Sequence, residues 1–241
     1  MSLGHQPKRN VITAFVGTIA ILCIYFLIQL SVISFLTEYE TMRSGFDPDR
    51  NLATGFMLSI ALLASVPICI LFIMLLMGPV KDIRERLDLS VPESSSIIKW
   101  LSLTLLAGLI YISASLVLQR PLVNEFMLYV SRTAYYLPLF FVSVCLVGPI
   151  FEELLFREFL FRPFAESGAG PLIAITLTSI IWAGIHVQYG LFDRGYILLL
   201  GILLGSARHM TGSMVMPYIM HALNNLLSLT LVIYLRSKGY A

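Results

Sequence analysis

A membrane-spanning helix is encoded near the amino terminus, where residues Val11–Thr37 have the sequence VITAFVGTIAILCIYFLIQLSVISFLT. This run contains no Asp, Glu, Lys or Arg. A helix needs about 20 apolar residues to cross the hydrocarbon core of a lipid bilayer. The run is longer than that, so we predict that it crosses the membrane.

Similar charge-free runs recur along the chain: Asn51–Val80, Trp100–Gln119, Thr133–Phe151, Ser167–Phe192, Gly195–Ala207 and His209–Leu235. Of all residues, 58% are apolar and 12% are charged, whereas a soluble domain has about 45–50% and about 25%. The sequence therefore predicts an all-α, polytopic transmembrane helical bundle of seven spans, or eight if Pro149 divides two helices. We expect a single transmembrane domain over residues 1–241, in a multi-pass protein of a plasma or inner membrane with lipid as a partner.

Two classes of function are disfavoured by composition. The net charge is only +2 and the basic residues are scattered, so no basic face is predicted for nucleic acid. The three cysteines, Cys23, Cys69 and Cys145, each stand alone in an apolar run and form no C-x-x-C pair. They predict neither a disulfide framework nor a cysteine-based metal site.

Polar side chains at membrane depth are costly and therefore mark candidate functional positions. They occur in three segments, which are Pro149–Arg157 (PIFEELLFR), Trp182–His186 (WAGIH) and His221–Asn225 (HALNN). We expect these segments to lie on three helices that enclose a polar cavity within the membrane. The core of the site is predicted at about residues 143–236.

Helical spacing separates the two adjacent glutamates. Glu153 and Arg157 are four residues apart, with the acid first, which favours an ion pair on one helix face. Glu152 lies about 100° around the helix and has no cation at that spacing. Glu152 is therefore the better candidate for a catalytic base, and the Glu153–Arg157 pair is expected to be structural.

The same spacing of four residues places Trp182 and His186 on one face of their helix, and His221 and Asn225 on one face of theirs. A carboxylate and an imidazole can hold and activate water, while a second imidazole and an amide can donate hydrogen bonds to an oxyanion. No Ser, Cys or Thr stands beside a base as an activated nucleophile. The sequence thus predicts peptide hydrolysis by water that Glu152 activates.

Other interpretations remain open for these residues. Glu152, His186 and His221 are ligand types found in catalytic zinc sites, although H-E-x-x-H is absent. We therefore predict no cofactor and keep zinc as the alternative. The histidines and Asn225 are also side-chain types that hold membrane helices together by hydrogen bonds.

Taken in order, the three segments resemble the CAAX protease and bacteriocin-processing family of intramembrane endopeptidases, which includes the type II CAAX prenyl endopeptidases. The resemblance covers about Pro149–Asn225. It implies that Glu152 activates the water, that His186 helps to hold it, and that His221 with Asn225 forms the oxyanion site.

The resemblance also implies supporting roles for Glu153, Arg157 and Trp182, and a peptide or protein tail as substrate. Two positions depart from the family pattern. Glu158 stands where the family usually has Gly, and Trp182 stands where Phe is common. We expect Glu158 to change the packing behind the site or to add a charge to its rim.

The distance between Glu152 and His186 depends on where the helix that carries Glu152 begins. If one straight span held Ala134–Phe164, Glu152 and His186 would lie on the order of 15 Å apart in depth. We therefore predict that Tyr135–Phe141 is interfacial or a separate short element.

Two other functions are considered beside the peptidase. One is a non-catalytic immunity or scaffold protein on the same fold. The other is a small proton-carrying transporter, which the lack of an inverted repeat disfavours.

Overall fold

The computed structural model describes residues 10–44, 53–78 and 87–239. These residues form eight helices and no strand, which confirms the predicted helical bundle. The helices are α1 (Val11–Ser44), α2 (Gly55–Met77), α3 (Ser94–Val117), α4 (Glu125–Arg132), α5 (Leu137–Ala165), α6 (Gly170–Ile185), α7 (Leu191–Thr211) and α8 (Val215–Ser237).

Five of these described helices, α1, α2, α3, α5 and α8, are long and apolar enough to cross a membrane. The protein is therefore a multi-pass membrane protein. The prediction of seven spans also counted α6 and α7. Of these, α6 has only 16 residues, and α7 carries Asp193 and Arg194 at its start and Arg208 near its end. Residues 51–52 and 79–80 of the predicted second run lie outside the described residues.

Helix α5 is continuous but contains two wider π-helical segments, Val142–Val147 and Leu154–Leu160. Gly148 and Pro149 lie between them, so Pro149 does not divide two helices and the eight-span alternative is wrong. The Gly148 amide donates to the Ser143 carbonyl, five residues back. Segments of this kind are frequent at functional sites, because they displace side chains from the regular helical positions.

The prediction for Tyr135–Phe141 had two forms. Tyr135 and Tyr136 lie in the link between α4 and α5, whereas Leu137–Phe141 is continuous with the rest of α5 and is not a separate element. An interfacial position for this segment stays a prediction. The difference in depth between Glu152 and His186 is reduced by α6. This helix returns along α5 after a short link at residues 166–169 and, at about 24 Å, is shorter than the membrane core of about 30 Å.

The number of residues on each side of that link explains why Glu152 of α5 and Trp182 of α6 lie side by side. Glu152 lies about fifteen residues before the link, and Trp182 lies a similar distance after it. His186 is the first residue after the end of α6. The end of the short helix α6 thus packs beside the middle of the long helix α5.

Close packing of α7 on α6 fixes the position of Trp182. A Cβ atom at Gly201 would lie 3.0 Å from Cβ of Ser179 and 3.0 Å from Cε3 of Trp182. Glycine therefore allows a closer approach than alanine would. The indole is 2% exposed and is held against the helix that carries the glutamates.

Candidate active site

Glu152 is anchored by the indole of Trp182. Nε1 of Trp182 donates a hydrogen bond of 2.5 Å to Oε2 of Glu152. The Glu152 side chain is 20% exposed and lines a cavity, whereas Trp182 is buried. Trp182 was expected to have a supporting role, but its hydrogen bond to Glu152 was not predicted.

His221 lies between the two glutamates. Its Nδ1 is 2.8 Å from Oε1 of Glu153, and its Nε2 is 4.0 Å from Oε2 of Glu152. The second distance is too long for a hydrogen bond. Because an ionised carboxylate only accepts, Nδ1 carries a hydrogen and donates to Glu153. This leaves Nε2 directed at Glu152.

Glu153 and Arg157 form the ion pair that their spacing predicts. Nε of Arg157 is 3.4 Å from Oε2 of Glu153, and both side chains are buried. The guanidinium also lies over the Trp182 ring, 5.3 Å from its centroid, and Nη2 donates to the Gly201 carbonyl at 3.3 Å. This pair lies behind the cavity and connects α5 to α6 and α7.

His186, at the end of α6, contacts Trp182. Its Nδ1 is 2.7 Å from the Trp182 carbonyl oxygen. A carbonyl only accepts, so Nδ1 is the donor and Nε2 has a lone pair in the neutral ring. The imidazoles of His186 and His221 each pack edge-to-face on Trp182, both at 5.2 Å between ring centroids.

Asn225 has a structural contact as well as a place in the cavity. Its Nδ2 donates to the Val144 carbonyl at 3.0 Å. In a π-helical turn that carbonyl would receive an N–H from Pro149, which has none. Asn225 supplies the missing donor. Its Oδ1 accepts from Asn224 at 3.3 Å.

These side chains line one cavity of about 730 Å³, whose lining is largely apolar. Of the predicted catalytic residues, Glu152, His186, His221 and Asn225 all line it, and so does Trp182. The structure therefore brings the predicted set to one place. Glu153 and Arg157 lie behind it.

Several lining residues were missed by the sequence analysis. Tyr25 stacks on Phe151 at 4.5 Å between ring centroids, and Tyr189 lies in the link between α6 and α7. Burial, followed by the negative charge of Glu152, raises the pKa of Tyr189. Tyrosine is common at membrane interfaces, so nothing in the pattern distinguished these residues.

A further polar group at the cavity wall was also missed. It consists of Tyr111, Asn124 and Asp193, which come from three separate parts of the chain. Each residue is unremarkable in its own segment. Only the folded chain brings them together.

Glu158 lies behind the site and does not line the cavity. Its side chain is 2% exposed. Oε2 is 2.7 Å from Nη2 of Arg208, and Oε1 is 3.3 Å from Nη1 of Arg162. The Glu158 charge thus lies behind the site and not at its rim, and the expected change in packing relative to the family stays a prediction.

The zinc alternative gains no support from the arrangement of ligands. In the part of the chain that the structure describes, no three His, Cys, Asp or Glu side chains are grouped so that they could hold a metal ion. Glu152, His186 and His221 line one cavity without forming such a group.

Residues 134–227 match the family model described as type II CAAX prenyl endopeptidase Rce1-like. This segment is similar to the Rce1-like family. The family is one of proteases, so the match supports a hydrolase at the level of the family. The Rce1-like segment covers about two fifths of the 241 residues and contains every side chain from Glu152 to Asn225 described above. Neither the curated proteins nor the solved structures contain a match to the chain.

Proposed function

We propose that this protein is an intramembrane endopeptidase that hydrolyses a peptide bond with water activated by Glu152. The observation that carries the proposal is the arrangement around that carboxylate. One oxygen is held by Trp182, and His221 and the end of α6 lie at the same depth in a cavity between apolar helices. A peptidase that works without a covalent intermediate needs these parts.

In this proposal Glu152 takes a proton from water and the hydroxide attacks the peptide carbonyl carbon. Oε1 of Glu152 is the accepting atom, because Oε2 already accepts from Trp182. The carbon–nitrogen bond then breaks, and Glu152 returns its proton to the leaving amine. The products are a new carboxylate and a new amine.

His186 is proposed to hold the water. With Nδ1 donating to the Trp182 carbonyl, the neutral ring can accept a water hydrogen at Nε2. The short helix α6 thereby fixes the direction of that lone pair. Water held between an acceptor and a base loses less freedom when it attacks.

His221 and Asn225 are proposed to stabilise the oxyanion. Asn225 has a second amide hydrogen besides the one directed at Val144. His221 can donate from Nε2 only when both ring nitrogens are protonated, and the Glu153 carboxylate lies beside the charge that then forms. Glu153 and Arg157 support this geometry from behind.

The proposed substrate is a peptide or a protein tail that enters from the lipid or from the membrane surface. The cavity is about 730 Å³ and its lining is largely apolar, which suits a few apolar residues better than a folded domain. The proposed partners are therefore membrane lipid and the substrate, with no nucleic acid. A plasma or inner membrane is the proposed location.

Comparative proteomics of membrane-protein termini tests the proposal. Cells would express wild type, Glu152→Gln or Glu125→Gln at matched levels. Glu125 is an exposed acid of α4 that does not line the cavity. Termini present in wild type and in Glu125→Gln, but absent from Glu152→Gln, are the expected result. Identical termini in all three would contradict catalysis by Glu152 and favour a non-catalytic scaffold.

A further inference from the structure

The cavity contains a second carboxylate, Asp193, in the first turn of α7. The Tyr111 hydroxyl donates to its Oδ1 at 2.8 Å, and Nδ2 of Asn124 donates to its Oδ2 at 3.1 Å. Tyr111 belongs to α3, and Asn124 is the residue that precedes α4. Three separate elements thus converge on one acid.

Asp193 has no ion-pair partner within the part of the chain described. The ion pairs found there involve other acids, and none involves the Asp193 carboxylate. Two neutral donors fill about half of the roughly four acceptor positions of an ionised carboxylate. A charge in largely apolar surroundings is costly unless it is paired. The unfilled acceptor positions of the Asp193 carboxylate therefore favour a cation.

The tyrosine that donates to Asp193 belongs to a group of aromatic rings. The ring of Tyr111 lies 4.7 Å from that of Tyr196 and 5.5 Å from that of Phe192, measured between centroids. Aromatic faces attract ammonium and guanidinium groups within about 6 Å. The chain itself gives an example, because the Arg120 guanidinium lies over Phe192, 4.8 Å from its centroid.

The position of Asp193 has an ordinary explanation that is not sufficient. An acid in the first turn of a helix interacts favourably with the helix dipole. That effect needs neither the hydroxyl from α3 nor the amide that precedes α4. Both donors hold the carboxylate in place at the cavity wall, as expected for a binding group.

We propose that Asp193, with the rings of Tyr111 and Tyr196, forms a subsite for a positively charged group of the peptide substrate. The group is an ammonium or guanidinium, from a Lys or Arg side chain or from the peptide amino terminus. This inference rests on the proposed function and narrows its substrate class. An acidic group would be repelled from the same position.

Peptide binding to the purified full-length protein tests this subsite. The protein is placed in nanodiscs of zwitterionic lipid and carries Glu152→Gln, so that no cleavage is needed. The probes are leucine- and alanine-based hexapeptides, blocked at both ends, with one lysine at each position in turn. Matched peptides contain norleucine or glutamate instead, and one lysine-free peptide has a free amino terminus. Affinities are measured by microscale thermophoresis.

At least one lysine position, or the free amino terminus, is expected to improve binding about tenfold or more over the neutral peptide. The position that responds identifies the source of the cation. Adding Asp193→Asn should abolish the preference, and Asp193→Lys should transfer it to glutamate. Glu125→Gln is the matched control, because it removes an acid outside the cavity and should retain the preference.

The inference is overturned if no position shows a preference for the cation, or if Asp193→Asn keeps it. Thermal unfolding of each variant shows that the comparison is between folded proteins. Failure of the proposed function would appear separately, as peptide cleavage that survives Glu152→Gln. The two ideas can thus fail independently.

Discussion

His221 is oriented by Glu153, whose Oε1 lies 2.8 Å from Nδ1 of the imidazole. The same glutamate contacts Arg157 through its other oxygen, at 3.4 Å. One buried carboxylate therefore orients a cavity imidazole and pairs with a buried guanidinium. Glu152, the adjacent residue, is left to face the cavity.

The first prediction concerns Glu153→Gln. The substitution leaves Arg157 as a buried charge without its carboxylate, and losing one partner of such a pair typically costs about 3–5 kcal/mol. We expect the free energy of unfolding to fall by about 3 kcal/mol in an SDS titration in mixed micelles. Arg157→Gln and the double variant complete a cycle, with an expected coupling of about 1–3 kcal/mol. Additive effects would mean that the two side chains do not interact.

The second prediction concerns Trp182→Phe, which keeps an aromatic ring but removes the N–H that donates to Glu152. A hydrogen bond to a charged group contributes about 1.5–3 kcal/mol, and this one fixes the position of the Glu152 carboxylate. We therefore expect kcat/KM to fall by about tenfold or more. The measurement is the cleavage rate as a function of peptide concentration.

Trp100→Phe is the matched control for this change. Trp100 is a buried tryptophan of α3 that does not line the cavity. Its substitution should leave kcat/KM close to that of wild type. An unchanged kcat/KM in Trp182→Phe would show that the indole does not act on Glu152.

The third prediction separates two roles of Asn225. Removal of the amide in Asn225→Ala leaves the Val144 carbonyl without its donor, which costs about 1–3 kcal/mol. If the amide also donates to the oxyanion, kcat should fall about 100-fold or more with little change in KM. Thr230→Ala, on the exposed face of α8, should change neither quantity. A loss of stability with kcat intact would leave Asn225 with a structural role only.

The fourth prediction concerns Glu158, one of the two residues that depart from the family pattern. Glu158→Ala removes the carboxylate that pairs with Arg208 inside the protein, so we expect a loss of about 3 kcal/mol in unfolding free energy. The double variant with Arg208→Leu should recover part of this loss, because the buried guanidinium that contacted Glu158 is removed as well. Glu166→Ala is the control, since that acid is 41% exposed and exposed pairs contribute about 0–1 kcal/mol.

The sequence predicted interactions within one helix better than interactions between helices. The Glu153–Arg157 pair follows from a spacing of four residues and needs no knowledge of neighbouring elements. The hydrogen bonds of Glu153 with His221 and of Glu152 with Trp182 depend on the relative depth and rotation of separate helices. No local pattern contains that information.

The way in which His186 comes close to Glu152 has the same origin. The helix after the link was expected to be a full span, whereas α6 has 16 residues and ends close to Glu152. Pro149 lacks an N–H and was considered as a break between two helices, but α5 continues through it with a π-helical segment on each side. The way in which the chain compensates, through Asn225 on another helix, was not predictable.

The residues around Asp193 were missed for a related reason. Tyr111, Asn124 and Asp193 are distant in the chain, and each fits its own segment as an interface residue, a helix cap or a first-turn acid. Their function as a group depends on the packing of α3, α4 and α7. Composition and periodicity contain no information about contacts between residues so far apart in the chain.

The most direct test of the whole account is the catalytic efficiency of Glu152→Gln on a peptide that spans a cleavage site found by terminal proteomics. The purified protein would be compared in lipid bilayers with wild type and with Glu125→Gln. Loss of a general base is worth about 10²–10⁴-fold, so kcat/KM should fall at least about 100-fold, while Glu125→Gln cleaves normally. A Glu152→Gln protein that cleaves within about twofold of wild type would contradict the central claim.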